Sequence, residues 1–140
     1  METAGSSESA DRPVLIVEDD LALRTSLAEL LTQQGYKVEC AADGVEAYGL
    51  LSGAAFRPLV IVLDLLMPRM DGLEFQVLAK SLPSATDIPI VVVTASRDLA
   101  AATASLALQV FHKPINTSRL LTTIRSLARD ASHSGAEIEH

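Results

Sequence analysis

The stretch VIVLDLLMPRMDG, residues Val60 to Gly72, is the part of the sequence that decides the fold. Its apolar run predicts a buried strand, because a short aliphatic segment bounded by turn-forming residues is typical of one. The run ends in a carboxylate, Asp64, and an Asp-Gly pair follows shortly after it. A charged side chain at the end of a buried strand needs a local reason, and the other strand ends of this chain supply one.

Further apolar segments share this pattern and alternate with segments of helical spacing. The predicted strands are Val14–Glu18, 36–41, Leu59–Leu63, Ile88–Thr94 and Val110–His112. The predicted helices run from Leu23 to a C-cap at Gly35, from Asp43 through Leu51, from Leu73 to Leu82, from Leu99 to Leu106, and from a cap at Asn116 through Leu127. This alternation, with nearly continuous aliphatic strands, predicts an α/β fold: a doubly wound five-stranded parallel sheet with helices on both faces. In such sheets, ligands bind beyond the carboxyl ends of the strands.

Length and composition narrow the class of protein. A chain of 140 residues suits one domain, and we expect a disordered leader over residues 1–12, the domain over 13–129 and a flexible tail over 130–140. A net charge of −7 argues against a nucleic-acid partner, and the single cysteine, Cys40, excludes an intramolecular disulfide and a multi-cysteine zinc site. No apolar run reaches the roughly 18 residues of a spanning helix, so we expect a cytoplasmic protein with no membrane partner.

Polar side chains follow or end four of the predicted strands. They are Glu18, Asp19 and Asp20 after the first strand, Asp64 at the third, Thr94 at the fourth and Lys113 after the fifth. Taken singly, each has a structural explanation, since an Asp such as Asp19 or Asp20 can cap the following helix. Together, clustered carboxylates without a counterion would repel one another, and ligands that are all oxygen favour Mg²⁺. A carboxylate beside such an ion can act as a nucleophile towards a phosphoryl group, with a hydroxyl and an ammonium stabilising its oxygens.

The sequence closely resembles the receiver domain of two-component response regulators over residues Pro13 to Arg129. The matching elements, in the family's order, are VLIVEDD, VLDLLMPRMDG, IPIVVVTA and HKPI. The resemblance implies a flavodoxin-like sheet of strand order 2-1-3-4-5. It also implies a signalling domain, not an enzyme beyond its own phosphorylation and dephosphorylation, whose phosphoryl group comes from a sensor histidine kinase or a histidine phosphotransfer protein.

The resemblance also assigns roles to residues of this chain. Asp64 corresponds to the phosphoacceptor, Thr94 to the switch hydroxyl and Lys113 to the lysine that contacts the phosphoryl group. The Mg²⁺ ligands would be Glu18, Asp19, Asp64 and the backbone carbonyl of Leu66. The bond between Lys113 and Pro114 is expected to be cis.

Three features depart from the family's usual pattern. Val110 stands where the family commonly has Tyr or Phe, and strand alternation would point the neighbouring Phe111 to the opposite face. The segment between Thr94 and Lys113 is shorter than usual, which predicts a short or irregular fourth helix. Leu66 is apolar at a position that is often polar, so it cannot orient an attacking water, and slower loss of the phosphoryl group is the hypothesis. Signal output is therefore expected to be atypical.

Several functions remained open from the sequence. The leading one is a stand-alone receiver that alters its surface for an unknown downstream protein when phosphorylated. The alternatives within the family are a phosphorelay intermediate, a receiver belonging to a larger regulator or hybrid kinase, and a degenerate receiver that binds without phosphorylation. From other classes, a Mg²⁺-dependent phosphatase with an Asp nucleophile would need a second acid where Leu66 stands. A flavodoxin-like electron carrier would need a hydroxyl-rich loop where Glu18 and Asp19 stand.

Overall fold

The computed structural model describes residues 12–53, 55–67, 69–103 and 105–138. Apart from Arg12, the predicted leader lies outside the described residues, as do the last two residues of the predicted tail. The strands are β1 (Val14–Val17), β2 (Val38–Ala41), β3 (Val60–Asp64), β4 (Ile90–Thr94) and β5 (Gln109–His112). The helices are α1 (Leu21–Gln33), α2 (Gly44–Ser52), α3 (Gly72–Ser81), α4 (Arg97–Thr103) and α5 (Thr117–Ile138).

All neighbouring strands pair in parallel, in the order β2-β1-β3-β4-β5. The predicted doubly wound sheet and its strand order are thereby confirmed. β3 lies at the centre, between β1 and β4, and its last residue, Asp64, pairs with Val93. The carboxyl ends of β1, β3, β4 and β5 therefore meet at one edge of the sheet.

Two apolar clusters cover the two faces of the sheet. On one face, Leu15 and Leu63 pack with Phe75 of α3 and with residues of α2. On the other face, Ile16 and Val62 pack with α1 and α5. Successive strand residues point to opposite faces, so runs that are apolar at every position bury both sides. This packing makes β3 a rigid support for the residue at its tip.

Polar side chains set where most of the helices begin. Asp20, Asp43 and Asp71 accept backbone N–H groups at the starts of α1, α2 and α3. Asn116 accepts the N–H of Arg119 at 3.1 Å, which confirms the predicted cap of α5. Such caps satisfy N–H groups that have no partner inside the helix.

The helix bounds differ most from the sequence predictions in α4 and α5. Helix α4 spans 7 residues, Arg97–Thr103, rather than Leu99–Leu106, because the Ser96 hydroxyl accepts the N–H of Leu99 and starts the helix earlier. The expectation of a short fourth helix is confirmed. Helix α5 continues to Ile138, so residues 130–138 are helical where the sequence predicted a tail. The segment contains no proline to stop the helix. Among the described residues, no helix is long and apolar enough to cross a membrane.

Candidate functional site

The carboxyl end of β1 supplies two acidic side chains in different surroundings. Glu18 is buried, whereas Asp19 is exposed. The Glu18 carboxylate accepts the backbone N–H of Asp20 at 3.2 Å. From the first turn of α1, the Arg24 guanidinium donates to the backbone carbonyl of Glu18 at 2.8 Å. These contacts fix the segment of backbone that carries both acids.

The third acid of this segment, Asp20, has a structural role. Its Oδ1 accepts the backbone N–H groups of Ala22 at 3.0 Å and Leu23 at 3.3 Å, which caps α1. The sequence left open whether Asp19 or Asp20 caps the helix. The structure assigns the cap to Asp20.

Asp64 ends β3 and is only 4% exposed. Its Oδ1 accepts the backbone N–H of Leu66 at 3.3 Å. Carboxylate oxygens of Glu18, Asp19 and Asp64 lie within 4.8 Å of one another. We call these three side chains the acidic pocket. The sequence prediction that they meet at one edge of the sheet is confirmed.

A lysine and a threonine reach this edge from the neighbouring strands. The Lys113 Nζ lies 3.3 Å from Glu18 Oε1 and 3.7 Å from Asp64 Oδ1. The backbone N–H of Lys113 donates to the carbonyl of Thr94 at 2.9 Å, and the bond between Lys113 and Pro114 is cis, as expected. Thr94 is fully buried at the end of β4, and its Oγ1 accepts the N–H of Ser96 at 3.0 Å.

Burial changes the protonation of the two inner acids. It raises the pKa of Glu18 to about 7, and repulsion from Asp64 adds to this, while the N–H of Asp20 and the Lys113 ammonium act in the opposite direction. Burial also raises the pKa of Asp64 above its ordinary value, with the Lys113 ammonium as the main opposing cause. One ammonium therefore does not neutralise the acidic pocket, and near neutral pH the pocket retains a proton part of the time.

The donor set of the pocket fits a hard divalent cation. Each of the three side chains offers a carboxylate oxygen, and this all-oxygen set suits Mg²⁺, which needs only one or two protein carboxylates and keeps several waters. A cation would supply the positive charge that Lys113 alone does not. Asp19 is exposed, which leaves one side of the pocket open to solvent.

Two of the predicted departures from the family's usual pattern, Val110 and Leu66, lie in β5 and just after β3. Val110 packs against the face covered by α2 and α3, whereas Phe111 is buried on the face covered by α1 and α5. Phe111 therefore cannot take the position of the aromatic residue that Val110 replaces. The Leu66 side chain is 53% exposed beside Asp64.

Sequence reasoning missed two arginines near the site. Arg24 could have been suspected, because its place in the first turn of α1 brings it close to the preceding segment. Arg69, which pairs with Asp43 at 2.6 Å, gives no comparable local signal, because the two residues lie on different loops.

The fold and the acidic pocket define a class: parallel α/β domains with a cluster of carboxylates at the carboxyl edge of the sheet. The family model of the response regulator receiver domain matches residues 14–125. The chain belongs to this family and is the receiver domain of a two-component signalling system. Its acidic pocket is compatible with Mg²⁺ and with phosphorylation of an aspartate.

Individual relatives agree with this assignment. The response regulator MprA from Mycobacterium sp. (strain KMS) is 41% identical over 122 residues, which are 85% of this chain and 51% of that protein. The chain thus spans about half the length of the curated relatives it matches. The chemotaxis protein CheY4 of Vibrio cholerae is similar with 32% identity and a TM-score of 0.72, over 84% of this chain and 99% of that one. The response regulator TrrA of Thermotoga maritima, solved in complex with Mg²⁺-BeF, has 26% identity and a TM-score of 0.73, over 83% of this chain and 98% of that one.

Proposed function

We propose that Asp64 accepts a phosphoryl group from a sensor histidine kinase or a histidine phosphotransfer protein, and that the resulting acyl phosphate changes the surface offered to a downstream protein. The observation that carries this proposal is the position of Asp64. It is a buried carboxylate at the tip of the central strand, with two acids within 4.8 Å and the Lys113 ammonium 3.7 Å away. The neighbouring groups are those that a nucleophilic carboxylate needs.

In the proposed reaction, an Oδ of Asp64 attacks the phosphorus of a phosphohistidine. The new O–P bond forms as the P–N bond breaks, and the imidazole leaves with the bonding electrons. The Asp64 carboxyl group can act as a nucleophile only in its ionised form. Its raised pKa disfavours that form when no metal ion is bound. Lys113 favours the ionised form because its ammonium faces the Oδ1 of Asp64.

Mg²⁺ would be held by Glu18, Asp19, Asp64 and the backbone carbonyl of Leu66. When bound, it supplies positive charge that offsets the negative charge of the phosphoryl oxygens. The protein's own contribution is to hold Glu18 and Asp19 in place, and the contacts of Arg24 and the Asp20 N–H do so. The similarity to TrrA, whose structure contains Mg²⁺-BeF, supports this part of the proposal.

Thr94 and Lys113 are proposed to contact the phosphoryl oxygens. The Lys113 side chain is 26% exposed, so it can move from Glu18 towards a new anion. The Thr94 hydroxyl accepts the N–H of Ser96. Its own O–H can donate to a phosphoryl oxygen while that contact is kept, so a movement of Thr94 towards the phosphoryl group would pull the start of α4 with it. Phosphorylation adds roughly −1.5 to −2 charges at one place, which is enough to bias such a rearrangement.

The proposal applies equally to a stand-alone regulator, to a phosphorelay intermediate and to the receiver of a larger regulator or hybrid kinase. In each case the phosphoryl group would be accepted by Asp64, beside the acids that follow β1 and the Lys113 ammonium. The alternative of a Mg²⁺-dependent phosphatase gains no support, since the position for its second acid is Leu66, which offers only an apolar side chain.

The test is incubation with acetyl phosphate, and separately with a panel of histidine kinases, with and without Mg²⁺. We expect the wild type to be labelled only with Mg²⁺ and Asp64→Asn to remain unlabelled. Glu18→Gln should be labelled more slowly. Equal labelling of wild type and Asp64→Asn would remove Asp64 from the reaction and overturn the proposal.

A further inference from the structure

Residues that follow Asp64 are tied to the start of α2 by an ion pair. The Nε of Arg69 donates to Asp43 Oδ2 at 2.8 Å, and its Nη2 lies 2.6 Å from the same oxygen. The other oxygen of Asp43 accepts the N–H of Glu46 at 2.9 Å and caps α2. Asp43 is buried, whereas the Arg69 side chain is 59% exposed. Without Arg69, a buried carboxylate would lose its only described cationic partner.

Two close backbone approaches hold the loop between β3 and α3, which carries Arg69, in place. A Cβ on Gly44 would lie 2.9 Å from the carbonyl oxygen of Met70, so only glycine lets the loop come this near to α2. At the base of the loop, the N–H of Gly72 donates to the carbonyl of Leu65 at 3.0 Å. A Cβ on Gly72 would lie 2.5 Å from the Cα of Leu65. The loop is thus closed at its base and pressed against α2 on its outer side.

The backbone of Arg69 has a conformation that glycine adopts more readily than arginine does. Its φ is +67°, and among the described residues it is the only one other than glycine with a positive φ. Glycine would adopt this conformation without steric cost, so the backbone alone would favour glycine. An arginine in this place adds the fork of donors that reaches Asp43.

We infer that the Asp43–Arg69 pair is a positioning element for the phosphoacceptor site. It fixes the segment from Leu65 to Met67, whose Leu66 N–H donates to Asp64 and whose Leu66 carbonyl is a proposed Mg²⁺ ligand. Breaking the pair loosens that segment, weakens Mg²⁺ binding and slows phosphorylation of Asp64. This inference rests on the proposed function.

Two substitutions break the pair while keeping the local backbone. Arg69→Gly removes the side chain and accepts the positive φ. Asp43→Asn keeps a good helix cap but removes the charge. The conservative variant Arg69→Lys keeps a cation that can reach Asp43. Arg57→Gly is the matched control, because it removes an exposed arginine from a loop at the opposite end of β3.

The measurements are Mg²⁺ affinity by calorimetry, the rate of labelling by acetyl phosphate at saturating Mg²⁺, and stability in urea. We expect Arg69→Gly and Asp43→Asn each to weaken Mg²⁺ binding by about tenfold, the lower end of the effect of removing a group that orients a metal ligand. The double variant should bind Mg²⁺ no more weakly than the single variant with the lower affinity, because both substitutions remove the same contact. Arg69→Lys should recover most of the affinity, and Arg57→Gly should bind like the wild type.

A purely structural pair would lower stability in urea and leave Mg²⁺ affinity and labelling rate unchanged, and that result would overturn the inference. Additive losses in the double variant would also overturn it. Failure of the proposed function is a separate result, because it would appear as equal labelling of the wild type and Asp64→Asn. If the wild type binds no Mg²⁺, the inference fails together with the proposed metal site.

Discussion

The acidic pocket should make the stability of the protein fall as pH rises when no divalent cation is present. The pKa of Glu18 is raised from its ordinary value of 4.5 to about 7 in the folded protein, mainly by burial. Between these values the folded state binds more protons than the unfolded chain. The contribution of Glu18 to stability is therefore complete below pH 4.5 and is lost as pH rises through about 7.

The size of the effect follows from the same two values. At about 1.4 kcal/mol per pKa unit, the difference between 4.5 and about 7 corresponds to up to about 3 kcal/mol of unfolding free energy. Mg²⁺ should cancel this fall, because it binds the ionised carboxylates and stabilises the folded state in proportion to its affinity. Its own affinity should rise with pH over the same range, with release of a proton.

The assay is unfolding in urea at several pH values from about 5 to about 8, with and without Mg²⁺. The slope of the unfolding free energy against urea concentration should be the same at each pH, so that the midpoints report stability. The side chain of Glu18→Gln cannot titrate, so this variant should lose the part of the fall that Glu18 causes and keep only the part that the raised pKa of Asp64 causes. His112→Gln is the matched control, since it removes an exposed histidine next to Lys113 and should keep the fall. If Glu18→Gln retained the whole fall, or if Mg²⁺ bound equally well at both ends of the range, the electrostatic reasoning would be refuted.

Other features give further expected outcomes. Gln76 is fully buried, and neither polar atom of its amide has a hydrogen-bond partner in the part of the chain described, so Gln76→Met should raise the unfolding free energy by about 1–3 kcal/mol in urea. The exposed Gln33→Met should change it by less than about 0.5 kcal/mol, and a loss of stability in Gln76→Met would contradict the reasoning. Leu66→Asn should shorten the half-life of phosphorylated Asp64 by orienting a water, and an unchanged or longer half-life would defeat this idea. Beryllofluoride with Mg²⁺ should shift the resonances of α4 and Val110 as well as those of the pocket, and changes confined to the pocket would exclude output through this face.

The sheet and the pocket could be predicted because their causes are local in sequence. Each buried strand is a continuous aliphatic run, and each functional side chain stands at or just after the end of one. In a parallel sheet the carboxyl ends of all strands lie at one edge, which places Glu18, Asp64 and Lys113 on the same side of the sheet. The strand order itself came from the resemblance to the family.

The features that sequence reasoning missed depend on tertiary contacts. Asp19 and Asp20 are adjacent acids, and only the direction of α1 decides which of them caps the helix. The pairing of Arg69 with Asp43 joins two loops whose spacing carries no motif. The end of α5 lies beyond the predicted one, because residues 130–138 contain no proline to stop the helix, although their polarity suggested a tail.

The contact between Glu18 and Lys113 joins residues 95 positions apart in the chain. The ammonium can therefore face the acids only when β5 is in its place in the sheet, because Lys113 directly follows that strand. A chain interrupted before β5 keeps Asp64 and its neighbouring acids but lacks the charge that faces them. If Asp64 accepts a phosphoryl group as proposed, and if this requires the Lys113 ammonium, labelling of Asp64 would depend on a sheet that is complete through β5.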